Sequence, residues 1–200
     1  DLGHRLRTPM TALRLDTDLV QDPALAERLR EHVDHLQRTV DVVVREARRP
    51  LADEMPTATA LGPVVAERVG FWRALAEDQG RRLELVALAP TARAEIAAED
   101  LRELLDTLLD NVFAHTPEGA GARVVLATSR GQAVVVVEDA GPGMPGPWRG
   151  RGHSAAGSTG LGLAIVHRIA ERAGGSVELG ESELGGLRVE VRLRAATAAP

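Results

Sequence analysis

The 200-residue chain contains no cysteine, which excludes disulfides and thiolate metal sites, fits a reducing compartment and leaves any covalent chemistry to other side chains. No apolar run reaches the roughly 18 residues that a membrane helix needs, and no signal peptide opens the sequence. Positive charge is not in excess either. With 24 basic against 29 acidic residues the formal net charge is −5, and the arginines are interleaved with acids rather than gathered in a block. That pattern lacks the electrostatic footprint of a nucleic-acid binder. What the chain does have is 44% apolar residues, enough for one ordinary core and a smaller element.

From Leu25 the residues Leu25, Leu29, Val33, Leu36, Val40, Val43 and Ala47 recur four and three apart, the seam of a helix packed in a bundle. A partner helix is expected over 1–20, with Leu2, Leu6, Met10, Leu13 and Val20, joined by a turn around Gln21, Asp22 and Pro23. A hairpin of this size, at 1–49, completes its core by dimerising into a four-helix bundle. Asp1 falls in what reads as the middle of the first helix, so more chain is expected upstream. Residues 50–56, with Pro50 and Pro56, break the heptad and read as a linker. Beyond them the pattern turns mixed. It predicts a short strand near 57–61, a helix over 63–78, a strand over 83–88, a helix over 99–114 and strands over 124–128 and 134–138. A helix over 160–173 and a hairpin of 176–179 with 187–193 follow. Helices interspersed with strands in this way predict a two-layer α/β sandwich over 57–194, with the alanine-rich 195–200 as a disordered tail; the whole is α+β.

Several residues stand out for chemistry. The run Gly157, Ser158, Thr159, Gly160, Leu161, Gly162, Leu163 leads into the apolar helical pattern of Ala164, Ile165, Val166 and Ile169. Small residues before a helix N-terminus let backbone N–H groups cradle an anion, although alone such a run is more often only an ordinary turn. No lysine follows these glycines, so this is not a Walker A loop. Gly141, Gly143 and Gly146 spell a dinucleotide fingerprint after a strand, but Pro145, Pro147 and Gly150 forbid the helix that fingerprint must open. Asn111 and His115 share one face of their helix. His4 lies opposite the apolar stripe of the first helix with Thr8 one turn further on, and Pro9 bends that helix at a cost of about 3 kcal/mol. His32 and His35 form at most half a metal site.

Taken in order, His4, Arg5, Leu6, Arg7, Thr8 and Pro9, then Asn111 and His115, then Asp139, Gly141, Pro142 and Gly143, then the Gly157–Gly162 run resemble the four boxes of the sensor histidine kinase family. The resemblance covers essentially the whole chain. It implies a dimerising phosphoacceptor hairpin followed by an ATP-binding domain of the Bergerat type. It implies autophosphorylation of His4 from MgATP, phosphotransfer to a response regulator receiver domain, and dephosphorylation of that partner assisted by Thr8. Asn111 is the implied Mg²⁺ ligand, and His115 lines the nucleotide pocket. Asp139 accepts the adenine amino group in the turn of Gly141 and Gly143, and Gly157, Thr159, Gly160, Leu161 and Gly162 hold phosphate. The stretch carrying Trp148, Arg149, Arg151 and His153 corresponds to the lid over the nucleotide. The family places such a segment in the cytoplasm and anchors the full-length protein in the cell membrane.

Besides a lid that is shorter than the family's and lacks its Phe-containing box, the sequence departs from the family at three points. Arg5 stands where an acidic residue usually follows the acceptor, and a guanidinium cannot serve as general base, although it can bind a phosphoryl group. Thr107 replaces a first Asn, and Ala114 replaces a basic residue that reaches the phosphates. These departures keep open an ATP-binding pseudokinase or a scaffold biased towards dephosphorylation. A third reading, an ATPase of the topoisomerase or Hsp90 kind, leaves the motif at His4 without a use.

Overall fold

The computed structural model describes residues 22, 25, 29, 33, 58–144 and 161–196. The chain divides into two compact units, 1–53 and 54–200, with the division falling inside the 50–56 segment.

In the first unit Leu25, Leu29 and Val33 are helical, and Val33 is buried. The Leu25 N–H donates to the Asp22 carboxylate at 3.2 Å, the bond by which an N-cap satisfies a first-turn donor. The expected turn at Asp22 is therefore also where this helix acquires its cap.

The second unit runs β1 (Ala58–Ala60), α1 (Leu61–Asp78), β2 (Leu83–Ala87), β3 (Arg93–Glu95), α2 (Ala98–His115), β4 (Ala122–Ser129), β5 (Gln132–Asp139), α3 (Leu161–Arg172), β6 (Ser176–Glu181) and β7 (Leu187–Arg194). Five strands form one sheet in the order β2-β4-β5-β7-β6, in which only the β2–β4 pair is parallel. β1 and β3 pair separately as a small antiparallel ribbon. Arg130 (φ 50°) and Gly131 (φ 76°) form the tight turn between β4 and β5, and two successive positive φ values match the strong twist of that hairpin.

The expected elements are present, with differences at their ends. Helix α1 starts at Leu61 rather than 63, because the Leu61 N–H finds the Ala92 carbonyl at 2.9 Å and needs no capping side chain. β3 has no counterpart in the sequence reading, since Arg-Ala-Glu carries no apolar alternation and becomes a strand only by pairing with β1. The tail expected from Ala195 starts too early. Ala195 bridges Ala94, and the Ala196 N–H donates to the Arg93 carbonyl at 3.0 Å.

The three helices cover one face of the sheet. Val64, Val65 and Val69 of α1, Leu101, Leu105 and Leu108 of α2, and Ile165, Val166 and Ile169 of α3 are buried, as are Val124, Leu126, Val135, Val137, Val191 and Leu193 of the strands. On the opposite face Val134 and Val136 are also buried, beside charged neighbours rather than a second layer. Arg123 donates to Glu138 at 2.9 Å and to Glu183 at 2.8 Å. Arg188 bridges Glu138 and Glu190, and Arg192 bridges Glu190 and Glu178. Alternating signs along this lattice keep the buried carboxylates of Glu138 and Glu190 paired, which their burial requires.

Candidate functional site

The site is built at one end of the sheet, where β5 stops. Asp139 is the last residue of β5 and is buried. Its Oδ1 accepts the N–H of Gly141 at 2.9 Å and the N–H of Leu187 at 3.1 Å. Both hydrogen bonds from described residues thus fall on one carboxylate oxygen and fix the side chain's orientation. The backbone is tied as well, since the Gly186 N–H donates to the Asp139 carbonyl at 3.1 Å.

Glycine is required around this carboxylate. A Cβ on Gly141 would stand 2.5 Å from Thr116 Cγ2 and 3.0 Å from Asp139 Oδ1. A Cβ on Gly186 would stand 2.6 Å from the Asp139 carbonyl oxygen and closer still to Oδ1. Gly143, at φ 71°, adopts a backbone conformation that glycine takes without strain.

The second wall is α2. Its first turn carries Glu99 and Asp100, whose charge suits the positive end of the helix. Its last turns present Asn111, half-buried, and His115, exposed. A Cβ on Gly162, in the first turn of α3, would stand 2.8 Å from Asn111 Oδ1 and 2.9 Å from Nδ2. The Asn111 amide is therefore packed directly against the start of α3. Thr116, one residue past α2, backs the Gly141 turn. Asp139, Gly141, Asn111 and Gly162 are thus held around the C-terminal end of one helix. The Thr107 hydroxyl donates to its own helix at the Glu103 carbonyl, 2.7 Å away. Ala114 is exposed.

A cleft adjoins this end of the sheet, lined by Gly143, Met144, His167, Leu179, Ser182 and Gly186 among others. Burial holds the His167 imidazole below its ordinary value, opposed by the nearby Glu171 carboxylate.

His4, Arg5, Thr8, Gly157, Thr159 and Gly160 lie outside the described residues, as do Trp148, Arg149, Arg151, His153, His32 and His35. Of Leu161 the structure describes the backbone, which opens α3. Sequence reasoning missed Gly186 and Leu187, whose signal was the Gly185-Gly186 pair ahead of the last strand. It also missed Thr116 and Arg81, which no local pattern announces.

Among the described residues no group of three or more His, Cys, Asp or Glu is arranged to hold a metal ion. The Asn111 amide offers one oxygen of the kind a hard cation takes, the rest of such a shell coming from ligand and water. An acceptor carboxylate in a glycine-lined turn, next to an amide against a helix N-terminus, fits a nucleotide that carries phosphates.

Comparison with known proteins agrees with that chemistry. Residues 96–197 match the family described as histidine kinase-, DNA gyrase B-, and HSP90-like ATPase. The sensor protein kinase CarS of Pseudomonas aeruginosa is 32% identical over 206 residues, covering 96% of this chain and 45% of its own length. The sensor protein IrlS of Burkholderia pseudomallei is 29% identical over 199 residues, covering 88% and 42%. This chain thus spans less than half the length of either relative. Among solved structures, the cytoplasmic segment of histidine kinase QseC superposes with a TM-score of 0.59 at 24% identity, over 82% of this chain and 95% of that one. Full-length ShkA in complex with AMPPNP gives a TM-score of 0.66 at 24% identity, over 100% of this chain and 46% of that one. At these identities the superpositions speak to fold alone. With its matched residues spanning both walls of the site, this chain belongs to the histidine kinase-, DNA gyrase B-, and HSP90-like ATPase family, and the two relatives above are named as a sensor protein and a sensor protein kinase.

Proposed function

We propose that this chain is the kinase core of a sensor histidine kinase, which binds MgATP at the end of β5 and phosphorylates His4. The observation that carries the reading is the Asp139 carboxylate, whose Oδ1 is held by two backbone N–H groups. Oδ2 is then the acceptor for the exocyclic amino group of adenine. Gly141, Gly143 and Gly186 leave the base room to approach. Asn111 would hold Mg²⁺ through Oδ1, His115 lines the pocket, and Gly157, Thr159, Gly160, Leu161 and Gly162 bring backbone donors to the phosphates at the start of α3. The cation, when bound, neutralises charge on the phosphate oxygens.

His4 then attacks as a neutral imidazole. The N–P bond forms as the bond from the γ-phosphorus to the ADP oxygen breaks, and the group passes on to an aspartate of a response regulator receiver domain. Thr8 serves the reverse task of orienting water during dephosphorylation of that partner. The hairpin homodimerises, and the segment works on the cytoplasmic side of the membrane that anchors the full-length protein. No helix among the described residues is long and apolar enough to cross a membrane.

Incubation with γ-labelled ATP tests this directly. Acid-labile label is expected in the wild type and absent from His4→Gln, while ATP binding persists in the variant. No phosphohistidine under saturating MgATP, in a dimer with a complete first helix, favours the second reading, an ATP-binding pseudokinase. That reading draws support from the Thr107 hydroxyl, which is engaged by its own helix, and from the exposed Ala114. Arg5→Glu separates two roles for Arg5. Supplying a missing base raises the rate, by up to about 100-fold. Removing a phosphoryl clamp lowers it.

A further inference from the structure

Arg81 is a buried cation three residues past the end of α1, and the function proposed above makes no use of it. Its Nη2 donates to the Thr116 carbonyl at 2.9 Å and to the Phe113 carbonyl at 3.4 Å. Its Nη1 donates to the Thr116 hydroxyl, and its Nε donates to Gln79 Oε1 at 2.6 Å. The guanidinium also stands over the Phe113 ring, 4.9 Å from the centroid. Every one of these partners is neutral. What compensates the buried charge is the negative end of α2, whose last carbonyls lack intrahelical donors. The forked cation ties off the C-terminus of the helix that carries Asn111 and His115.

The consequence reaches the carboxylate through one side chain. The Thr116 hydroxyl accepts from Arg81 and donates back to the Val112 carbonyl at 2.7 Å, so its rotamer is set from both sides. That rotamer aims Cγ2 at Gly141, close enough to leave no room for a Cβ. Gly141 in turn donates the N–H that orients Asp139 Oδ1. We infer that Arg81 is a positioning residue for the nucleotide site: through Thr116 and the Gly141 turn it sets where the Asp139 carboxylate stands, and so how strictly a purine with a 6-amino group is selected. The inference rests on the reading of Asp139 as the adenine acceptor.

The test measures dissociation constants by calorimetry on the 200-residue chain, for ATP and for the purine riboside triphosphate that lacks the 6-amino group. The wild type is expected to prefer ATP. Arg81→Gln is expected to weaken ATP about tenfold and to bring the ratio of the two constants towards one. Arg81→Lys, which keeps the charge but not the fork, is expected to fall between. An Arg81 that only braces the fold lowers the melting temperature and leaves both constants of the folded protein, and their ratio, unchanged. Should Arg81→Gln not fold, two substitutions at Thr116 decide. Thr116→Val keeps the methyl and removes the hydroxyl, and Thr116→Ser does the reverse. Both are expected to erode the preference for ATP, and an unaltered ratio in both overturns the inference. A wild-type chain that binds no ATP overturns the function reading and this inference with it, whereas wild-type selectivity retained in the variants overturns the inference alone.

Discussion

Asp139 and Gly186 stand so close that the Asp139 carboxylate and carbonyl occupy the space a side chain at 186 would need. The contact joins the end of β5 to the start of β7, and Gly186 N–H to Asp139 O at 3.1 Å runs through it. Gly186→Ala should therefore displace the carboxylate or the turn. Overpacking of this kind costs about 1–3 kcal/mol, and ATP affinity should fall by at least about tenfold. Thermal melts combined with calorimetry check both, and a folded variant with wild-type affinity would contradict the assigned role of Asp139.

Gly162 bears on Asn111 in the same manner. A methyl there lies 2.8 Å from Asn111 Oδ1 and would push the amide off its rotamer. Gly162→Ala should weaken MgATP about three- to tenfold and metal-free ATP less, because the oxygen proposed to meet the cation moves first. Titrations with and without Mg²⁺ separate the two. An equal loss in both would remove Asn111 from the metal.

Asp106 braces the helices without touching the nucleotide site. Its Oδ1 accepts from Arg68 Nε at 2.8 Å and from Trp72 Nε1 at 2.9 Å, bonds that cross from α1 to α2. Trp72 packs against Phe113 with the rings tilted by 40° and their centroids 5.2 Å apart. Asp106→Ala is expected to cost about 1–3 kcal/mol in denaturant unfolding, with nucleotide affinity unchanged. Trp72→Phe, which keeps most of the ring contact and loses the N–H, should cost about 0.5–1.5 kcal/mol.

His167 makes stability depend on pH. Burial holds its folded-state pKa below the ordinary histidine value, with Glu171 opposing. Between the lowered folded value and the unfolded one, the unfolded chain binds more protons. Stability is therefore full above the unfolded pKa and is lost as pH falls towards the folded one. Melting temperatures taken from about pH 7.5 down to about pH 5 should decline, and His167→Gln should make the decline shallower. An unchanged slope in the variant would mean that other groups carry the effect.

Of the residues read as a site from the sequence, Asp139 meets Gly141 and Asn111 meets Gly162. Asp139 closes a strand announced by the run Val134 to Val137, and Asn111 sits on a helix announced by its buried leucines. Such positions are legible because the period of the element declares both its type and its end. Gly141 and Gly143 were legible for a local reason, since a tight turn must follow Asp139.

The sequence by itself determined which segments become helix or strand and which short motifs carry polar groups to their ends, because periodicity and turn chemistry act over a few residues. Only the tertiary structure decided what holds those motifs in place. Leu187 reaches Asp139 across 48 residues because β7 pairs with β5, and Arg81 reaches Thr116 across 35 because α1 returns the chain beside the end of α2. β3 and the pairing of Ala195 likewise exist only through distant partners. A hydrogen bond between residues so far apart leaves no trace in either neighbourhood, since each donor and acceptor is a group that every residue, or every arginine, carries.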